Sequence, residues 1–175
     1  MTTNGRLDVR FAGAGGQGIV MAGEVLAAAA LRMGRSAAHS KAYGPASRGG
    51  ASRSDVVVSD GAVGFPLVRR PNIVVALTDE AYRKYGHDHA DDAVVIVDVD
   101  VAAPRNGALV APIVETARRI VGTDVASGVV GLGVLSRSLD VFDVDILRGT
   151  IAERVPAALE DANLEAFAAG REMVG

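Results

Sequence analysis

The sequence predicts an α/β protein: a single Rossmann-like domain over residues 1–175, with a mostly parallel sheet covered by helices and a helical C-terminal end. Three observations predict it. A short apolar segment runs into the turn Gly13-Ala14-Gly15-Gly16-Gln17-Gly18 and then into an apolar helix, the order that opens a dinucleotide- or phosphate-binding βαβ unit. Continuous Val/Ile runs follow, with the length and content of strands buried on both faces. From Ser127 onward the pattern turns helical, so strands and helices alternate first and helices then close the chain.

Leu7 to Ala12 reads as the first strand, and Ile19 to Met33 as the first helix, ended by Gly34 at a C-cap position. Only Glu24 and Arg32 are charged within that helix. A helix apolar nearly all round is buried on more than one side, and in a chain this small the second side is a candidate subunit contact. The isolated chain is therefore expected to self-associate. Between Gly34 and Arg53 no element is assigned, and Gly44, Pro45, Gly49 and Gly50 mark a loop. Arg53 to Ser59 reads as a strand. Asn72 to Leu77 is a β-branched run ending at Thr78-Asp79, and Glu80 to Tyr85 a short helix. Ala93 to Val97 is the next strand, stopped by Asp98; Ala108 to Ile113 is a short further strand and Glu115 to Val121 a helical turn or two. Three helices follow, Val129–Leu139, Val144–Val155 and Asn163–Met173, with Asp143 as N-cap of the middle one.

Hydrophobic residues make up 49% of the chain and aromatics 4%, so Ala and Val carry the packing, as a helix-covered parallel sheet allows. The formal net charge of -3 argues against a general nucleic-acid binder. The absence of cysteine excludes disulfides, Cys-ligated iron–sulfur clusters and thiolate catalysis in this chain. If electrons move in its reaction, another chain carries the metal. Met1 to Arg6 lacks the apolar core of a signal peptide, and no uninterrupted apolar stretch reaches membrane-spanning length. The chain reads as cytoplasmic and soluble.

Gly13, Gly15 and Gly18 fit G-x-G-x-x-G, and Gln17 places a polar amide beside the third glycine, where it can face whatever the turn approaches. A nicotinamide site also needs an acid about 20 residues on, to hold the ribose hydroxyls. No acid occurs from Val25 to Ser54, so the NAD reading loses its partner; an NADP variant would use Arg35. The plainer alternative is that the glycines only permit the turn and a close helix–sheet contact.

The same acid-free stretch holds Arg32, Arg35, His39, Lys41, Arg48 and Arg53. Within it, Tyr43-Gly44-Pro45-Ala46-Ser47-Arg48-Gly49-Gly50 combines an aromatic, a hydroxyl and a guanidinium with glycines that let backbone approach a ligand or neighbour. Ser47 and Arg48 suit phosphate or carboxylate. A solvated loop with scattered bases is the alternative, although it has no need of Tyr43 or the Gly49-Gly50 pair. His87-Asp88-His89 with Asp91-Asp92 has metal-ligating residue types, but the two His are two apart and lie in a polar loop before a strand, so no metal site is expected. Neither a Ser/His/Asp arrangement nor a nucleophile elbow is present, and Asp98 and Asp100 read as strand terminators, with ligand binding at the sheet's carboxyl edge as the alternative.

The turn Gly15-Gly16-Gln17-Gly18, the pairing of Tyr43-Gly44-Pro45 with Arg48-Gly49-Gly50, Ser59-Asp60, Pro66, Pro71 and the ending Asn163-Leu164-Glu165-Ala166-Phe167-Ala168-Ala169-Gly170 together resemble the γ subunit of the 2-oxoacid:ferredoxin oxidoreductases. The resemblance runs over nearly the whole chain. It implies a multi-subunit enzyme whose α and β subunits hold thiamine diphosphate, Mg and the reacting 2-oxoacid, and whose ferredoxin-like subunit holds Fe–S clusters. The overall reaction it implies converts a 2-oxoacid, coenzyme A and oxidised ferredoxin to acyl-CoA, CO2 and reduced ferredoxin. This chain would have a structural, active-site-adjacent role with no catalytic residue and no cofactor of its own. Tyr-Gly-Pro before Arg-Gly-Gly looks most like the 2-oxoglutarate-type γ chain, with pyruvate- and branched-chain-type members open. The expected ligand-facing residues are Gly13, Gly15, Gly16, Gln17, Gly18, Tyr43, Ser47, Arg48, Gly49 and Gly50, contacting either a phosphate of coenzyme A or a subunit surface. A stand-alone NADP-binding module of a reductase is the competing reading, and it has no use for the second glycine motif.

Overall fold

The computed structural model describes residues 5–43, 50–139 and 141–174. Its centre is a six-stranded sheet: β1 (Arg6–Ala14), β2 (Ser36–Tyr43), β3 (Ala51–Ser59), β4 (Ile73–Ala76), β5 (Val94–Asp98) and β6 (Leu109–Ala111), in the spatial order β2-β3-β1-β4-β5-β6. β1, β4, β5 and β6 pair in parallel, whereas β3 is antiparallel to both β1 and β2. Five strands therefore run one way and β3 alone runs the other. The chain leaves β1 toward β2 on one side and toward β5 through β4 on the other. The carboxyl ends of β1 and β4 thus flank the point where strand order reverses, the usual place for a ligand crevice in such sheets.

One face of the sheet carries nearly all the helices: α1 (Ile19–Arg32), α3 (Ile113–Val121), α4 (Ser127–Ser138), α5 (Val144–Arg154) and α6 (Glu160–Glu172). Leu7, Val9, Phe11, Val56, Val58, Ile73, Val75, Leu77 and Ile96 point into that layer and are buried among helical Val25, Leu26, Val129, Leu132, Leu135, Leu147, Ile151 and Phe167. The opposite face is covered over β1, β4 and β5 by the short α2 (Asp79–Ala81), the π-helical turn Tyr82–Gly86 and loops, forming a second core with Ala12, Val74, Ala76, Val95, Val97 and Tyr82. Among the described residues no helix is long and apolar enough to cross a membrane.

α1 ends as expected. Gly34 takes φ +75°, and Arg35 N–H donates to the Ala30 carbonyl at 3.0 Å, which closes the last turn. Asp143 caps α5 by accepting from Asp145 and Ile146 N–H. The second side of α1, expected against a partner subunit, is covered instead by α4 and α5 of the same chain. Arg32 reaches Thr150 and pairs with Glu153, and Glu24 lies 3.7 Å from Arg154. The unassigned stretch after Gly34 is also corrected: Ser36–Tyr43 is an edge strand, hydrogen-bonded along its length to β3. Its small residues carry no β-branched signal, so only the antiparallel partner defines it.

Candidate functional site

The glycine turn stands at the carboxyl end of β1, at the switch point. Gln17 N–H donates to the Ala14 carbonyl at 3.3 Å, and Gln17 Oε1 accepts from Ala14 N–H at 2.8 Å. Gln17 is 5% exposed. Its side-chain carbonyl is therefore committed inside the turn rather than facing outward, and it sets the turn's shape. Gly16 and Gly18 have φ +92° and +70°, which L side chains rarely adopt. Gly18 also serves packing: a Cβ there would collide with the Val125 carbonyl, and one on Gly128 would collide with the Gly18 carbonyl. Gly128 N–H donates to the Gln17 carbonyl at 2.8 Å. The start of α4 is thus wedged directly behind the turn.

Gly18 is the N-cap of α1 and offers no side-chain acceptor, so the first N–H groups of the helix have no intrahelical partner. They open on a cleft of about 300 Å³ lined by Ala14, Gly15, Gly16, Gly18, Ile19, Val20, Tyr43, Ser52 and Val125. Register explains how Tyr43 arrives there. Tyr43 pairs with Ser52 across β2 and β3, and Ser52 pairs with Gly13 across β3 and β1, so the three lie in one row at this edge. Tyr43 is 63% exposed and forms the rim. Gly50, at the foot of β3, is half-buried. Ser47, Arg48 and Gly49 lie outside the described residues. The described lining carries no charged side chain. The positive field at the cleft comes from the α1 N-terminus, and the lining adds backbone donors and an aromatic.

Other expectations find different places. Arg35 immediately precedes β2, at the opposite end of the strands, where it pairs with Asp60 at 2.7 Å and donates to the Gly5 carbonyl at 3.1 Å. It stands a strand's length from the glycine turn, which removes the 2′-phosphate role and with it the NADP reading. Asp98 is buried and caps α3, with its oxygens accepting from Val114 N–H at 2.8 Å and Asp100 N–H at 3.0 Å. Arg70 holds the His89 carbonyl and Asp91, tying down the polar loop. No metal-sized group of His, Cys, Asp or Glu occurs among the described residues.

Two polar pairs escaped the sequence reading. Arg10 on β1 and Asp55 on β3 form a buried two-pronged ion pair on the thinly covered face. On the helical face His39 Nε2 lies 2.8 Å from Ser54 Oγ, beneath Gly23 of α1, whose hydrogen leaves room for both. Burial lowers the His39 pKa from its ordinary value, with Glu24 opposing the shift. Asp8 also sits in β1 and Arg53 in β3, so no single charge singled out Arg10 or Asp55, and nothing marked His39.

The comparisons with known proteins agree on one family. The family model described as pyruvate ferredoxin/flavodoxin oxidoreductase matches residues 8–173. The 2-oxoglutarate synthase subunit KorC of Methanocaldococcus jannaschii is 37% identical over 175 residues, covering 96% of this chain and 94% of the relative. The keto/oxoacid ferredoxin oxidoreductase γ subunit of Geobacter sulfurreducens superposes with a TM-score of 0.84 at 37% identity, covering 97% of this chain and 96% of that one. The same fold occurs inside the longer 2-oxoglutarate:ferredoxin oxidoreductase chain of Magnetococcus marinus, solved with 2-oxoglutarate, coenzyme A and succinyl-CoA bound, with a TM-score of 0.85 at 23% identity over 98% of this chain and 31% of that one. Family match, identity over nearly full length and shared fold lead to one conclusion: this chain belongs to the pyruvate ferredoxin/flavodoxin oxidoreductase family.

Proposed function

We propose that this chain, as one γ-type domain over residues 1–175, is the γ subunit of a cytoplasmic, multi-subunit 2-oxoacid:ferredoxin oxidoreductase with 2-oxoglutarate as the favoured substrate. The observation that carries the reading is the near end-to-end match, at 37% identity, to a relative named as a 2-oxoglutarate synthase subunit. Thiamine diphosphate, Mg and the Fe–S clusters belong to the companion α, β and ferredoxin-like subunits. A chain with no cysteine offers no thiolate for a cluster, which is consistent with that division.

Within this reading the cleft at the glycine turn faces coenzyme A. Gly13 leaves room for the Gln17 side chain that fixes the turn, Gly18 forms part of the wall, and the α1 N-terminus with Gly15 and Gly16 presents N–H groups to a phosphate. Tyr43 and Gly50 frame the loop that carries Ser47, Arg48 and Gly49, the side chains and backbone suited to complete an anion site. The geometry supports this because Tyr43 and Ser52 put both ends of that loop at the cleft.

The test is co-expression with the adjacent α and β subunit genes, followed by purification and a dye-reduction assay. The expected result is a stable complex whose reduction depends on both coenzyme A and 2-oxoglutarate. A chain that purifies alone, or a complex indifferent to coenzyme A, overturns the reading.

A further inference from the structure

The described residues cover the face of the sheet opposite the helices only in part. Its layer of α2, the π-helical turn and loops lies over β1, β4 and β5, while the main contacts of β2 are with β3 and with α1 on the other face. The register puts Ala38, Ser40 and Ala42 on the thinly covered face, opposite Val57, Asp55 and Arg53 of β3. Three small side chains thus leave a half-exposed strip of sheet that an approaching polypeptide can reach closely.

The border of this strip is cationic. Both oxygens of Asp55 accept from Arg10, at 2.7 and 2.9 Å. Arg53 therefore reaches Asp55 only at 3.6 Å, beyond a good hydrogen bond, and its guanidinium donates no closer hydrogen bond to a described residue. Its guanidinium stands 5.4 Å from the centre of the Tyr85 ring, and Lys84 Nζ stands 5.2 Å from the same ring. Lys84 makes no ion pair with a described residue. The Tyr85 carbonyl accepts from Arg10 at 3.2 Å, so the buried arginine anchors the segment that carries both the ring and Lys84. Asp55 is the carboxylate that Arg10 and Arg53 share, and exposed Lys84 adds a further positive charge at the Tyr85 ring.

We propose that the face of β2 formed by Ala38, Ser40 and Ala42, with Arg53, Lys84 and Tyr85 along its border, docks an acidic segment of a companion subunit. The small residues supply close approach, and the two cations on an aromatic supply charge complementarity and register. The inference rests on the γ-subunit reading, because it needs a companion chain.

The chain has no cysteine, so a single introduced one is unique within it, and its labelling is read on this chain after the subunits are separated. Ser40→Cys reports on the strip, and Glu172→Cys at the end of α6 is the control. Maleimide labelling is timed on the full chain alone and in the complex with its α and β subunits. The expected result is at least tenfold slower labelling of Ser40→Cys in the complex, with the control unchanged. Arg53→Glu with Lys84→Glu should weaken association at least tenfold at low salt and by less at high salt, and Arg53→Lys with Lys84→Arg should restore it. Unchanged labelling of Ser40→Cys in an intact complex overturns the docking proposal alone. So does a charge-reversed variant that assembles normally and instead needs more coenzyme A, which would give the cations to a small-molecule phosphate. A chain that joins no complex overturns the γ-subunit reading and the docking with it.

Discussion

Arg10 and Asp55 are direct partners across the β1–β3 ladder, both more than nine-tenths buried, with guanidinium Nε and Nη2 on the two carboxylate oxygens at 2.7 and 2.9 Å. The arginine's remaining bonds go to the Val68 and Tyr85 carbonyls, at 3.1 and 3.2 Å. One side chain therefore ties the reversed strand, the loop after it and the π-helical turn together on the face that lacks long helices.

Removing Asp55 leaves Arg10 a buried cation with only carbonyl partners, and removing Arg10 leaves buried Asp55 with Arg53 alone at 3.6 Å. Arg10→Ala and Asp55→Ala should each destabilise the chain by about 3–5 kcal/mol. The double substitution Arg10→Met with Asp55→Leu should cost less than the sum of the two single losses, since no charge is stranded. Urea unfolding of the four proteins checks this, and simple additivity would contradict it.

The glycine turn separates two effects of adding a methyl group. Gly16→Ala meets open space, and its penalty is the left-handed backbone alone, about 1–2 kcal/mol. Gly18→Ala carries that penalty and also drives a methyl into the Val125 carbonyl, adding roughly 1–3 kcal/mol and prising the start of α4 from the turn. Thermal melts of both variants should show Gly18→Ala clearly lower. Equal melting temperatures would show that Val125 yields freely.

Burial of His39 should give the fold a pH dependence. Its pKa is lowered in the folded protein from the ordinary 6.5, so the unfolded chain binds the proton more readily. Stability should fall as pH drops below about 6.5, and level off once pH passes below the folded-state value. His39→Gln offers Ser54 a neutral partner and should flatten that slope. A urea midpoint measured between pH 7.5 and 5 decides it, and an unchanged slope would assign the effect to other groups.

If the loop after Tyr43 contacts coenzyme A, Arg48→Ala should raise the apparent Michaelis constant for coenzyme A by roughly tenfold, as expected for the loss of one charge-assisted contact of 1.5 kcal/mol or so. The complex should still assemble. An unchanged coenzyme A dependence removes the ligand role, and failure to assemble makes the loop an interface element first.

Much of the fold was legible because it rests on short-range signals. Val56–Val58, Val74–Val75 and Val94–Val97 suited buried strands, and Gly34 and Asp143 carried their capping chemistry openly. β2 was hidden because Ser36 to Tyr43 has no intrinsic strand preference, and pairing with β3 decides its state. The turn was legible as a ligand-type element, but the inward commitment of Gln17 depends on a bond to Ala14 that spacing does not reveal. The Arg10–Asp55 pair needs the reversed direction of β3, a topological fact with no local signature.

That reversal has a kinetic and entropic consequence. Because β3 runs against its neighbours, the link from β2 to β3 is a hairpin whose neck is the Tyr43–Ser52 pair, one strand away from Gly13. A crossover to a parallel neighbour would leave this link at the far edge of the sheet. Here the sheet itself closes the loop at its base, and the closure entropy is met once, when the protein folds. The Tyr43–Ser52 neck and the glycine turn are thereby held side by side at a high mutual effective concentration.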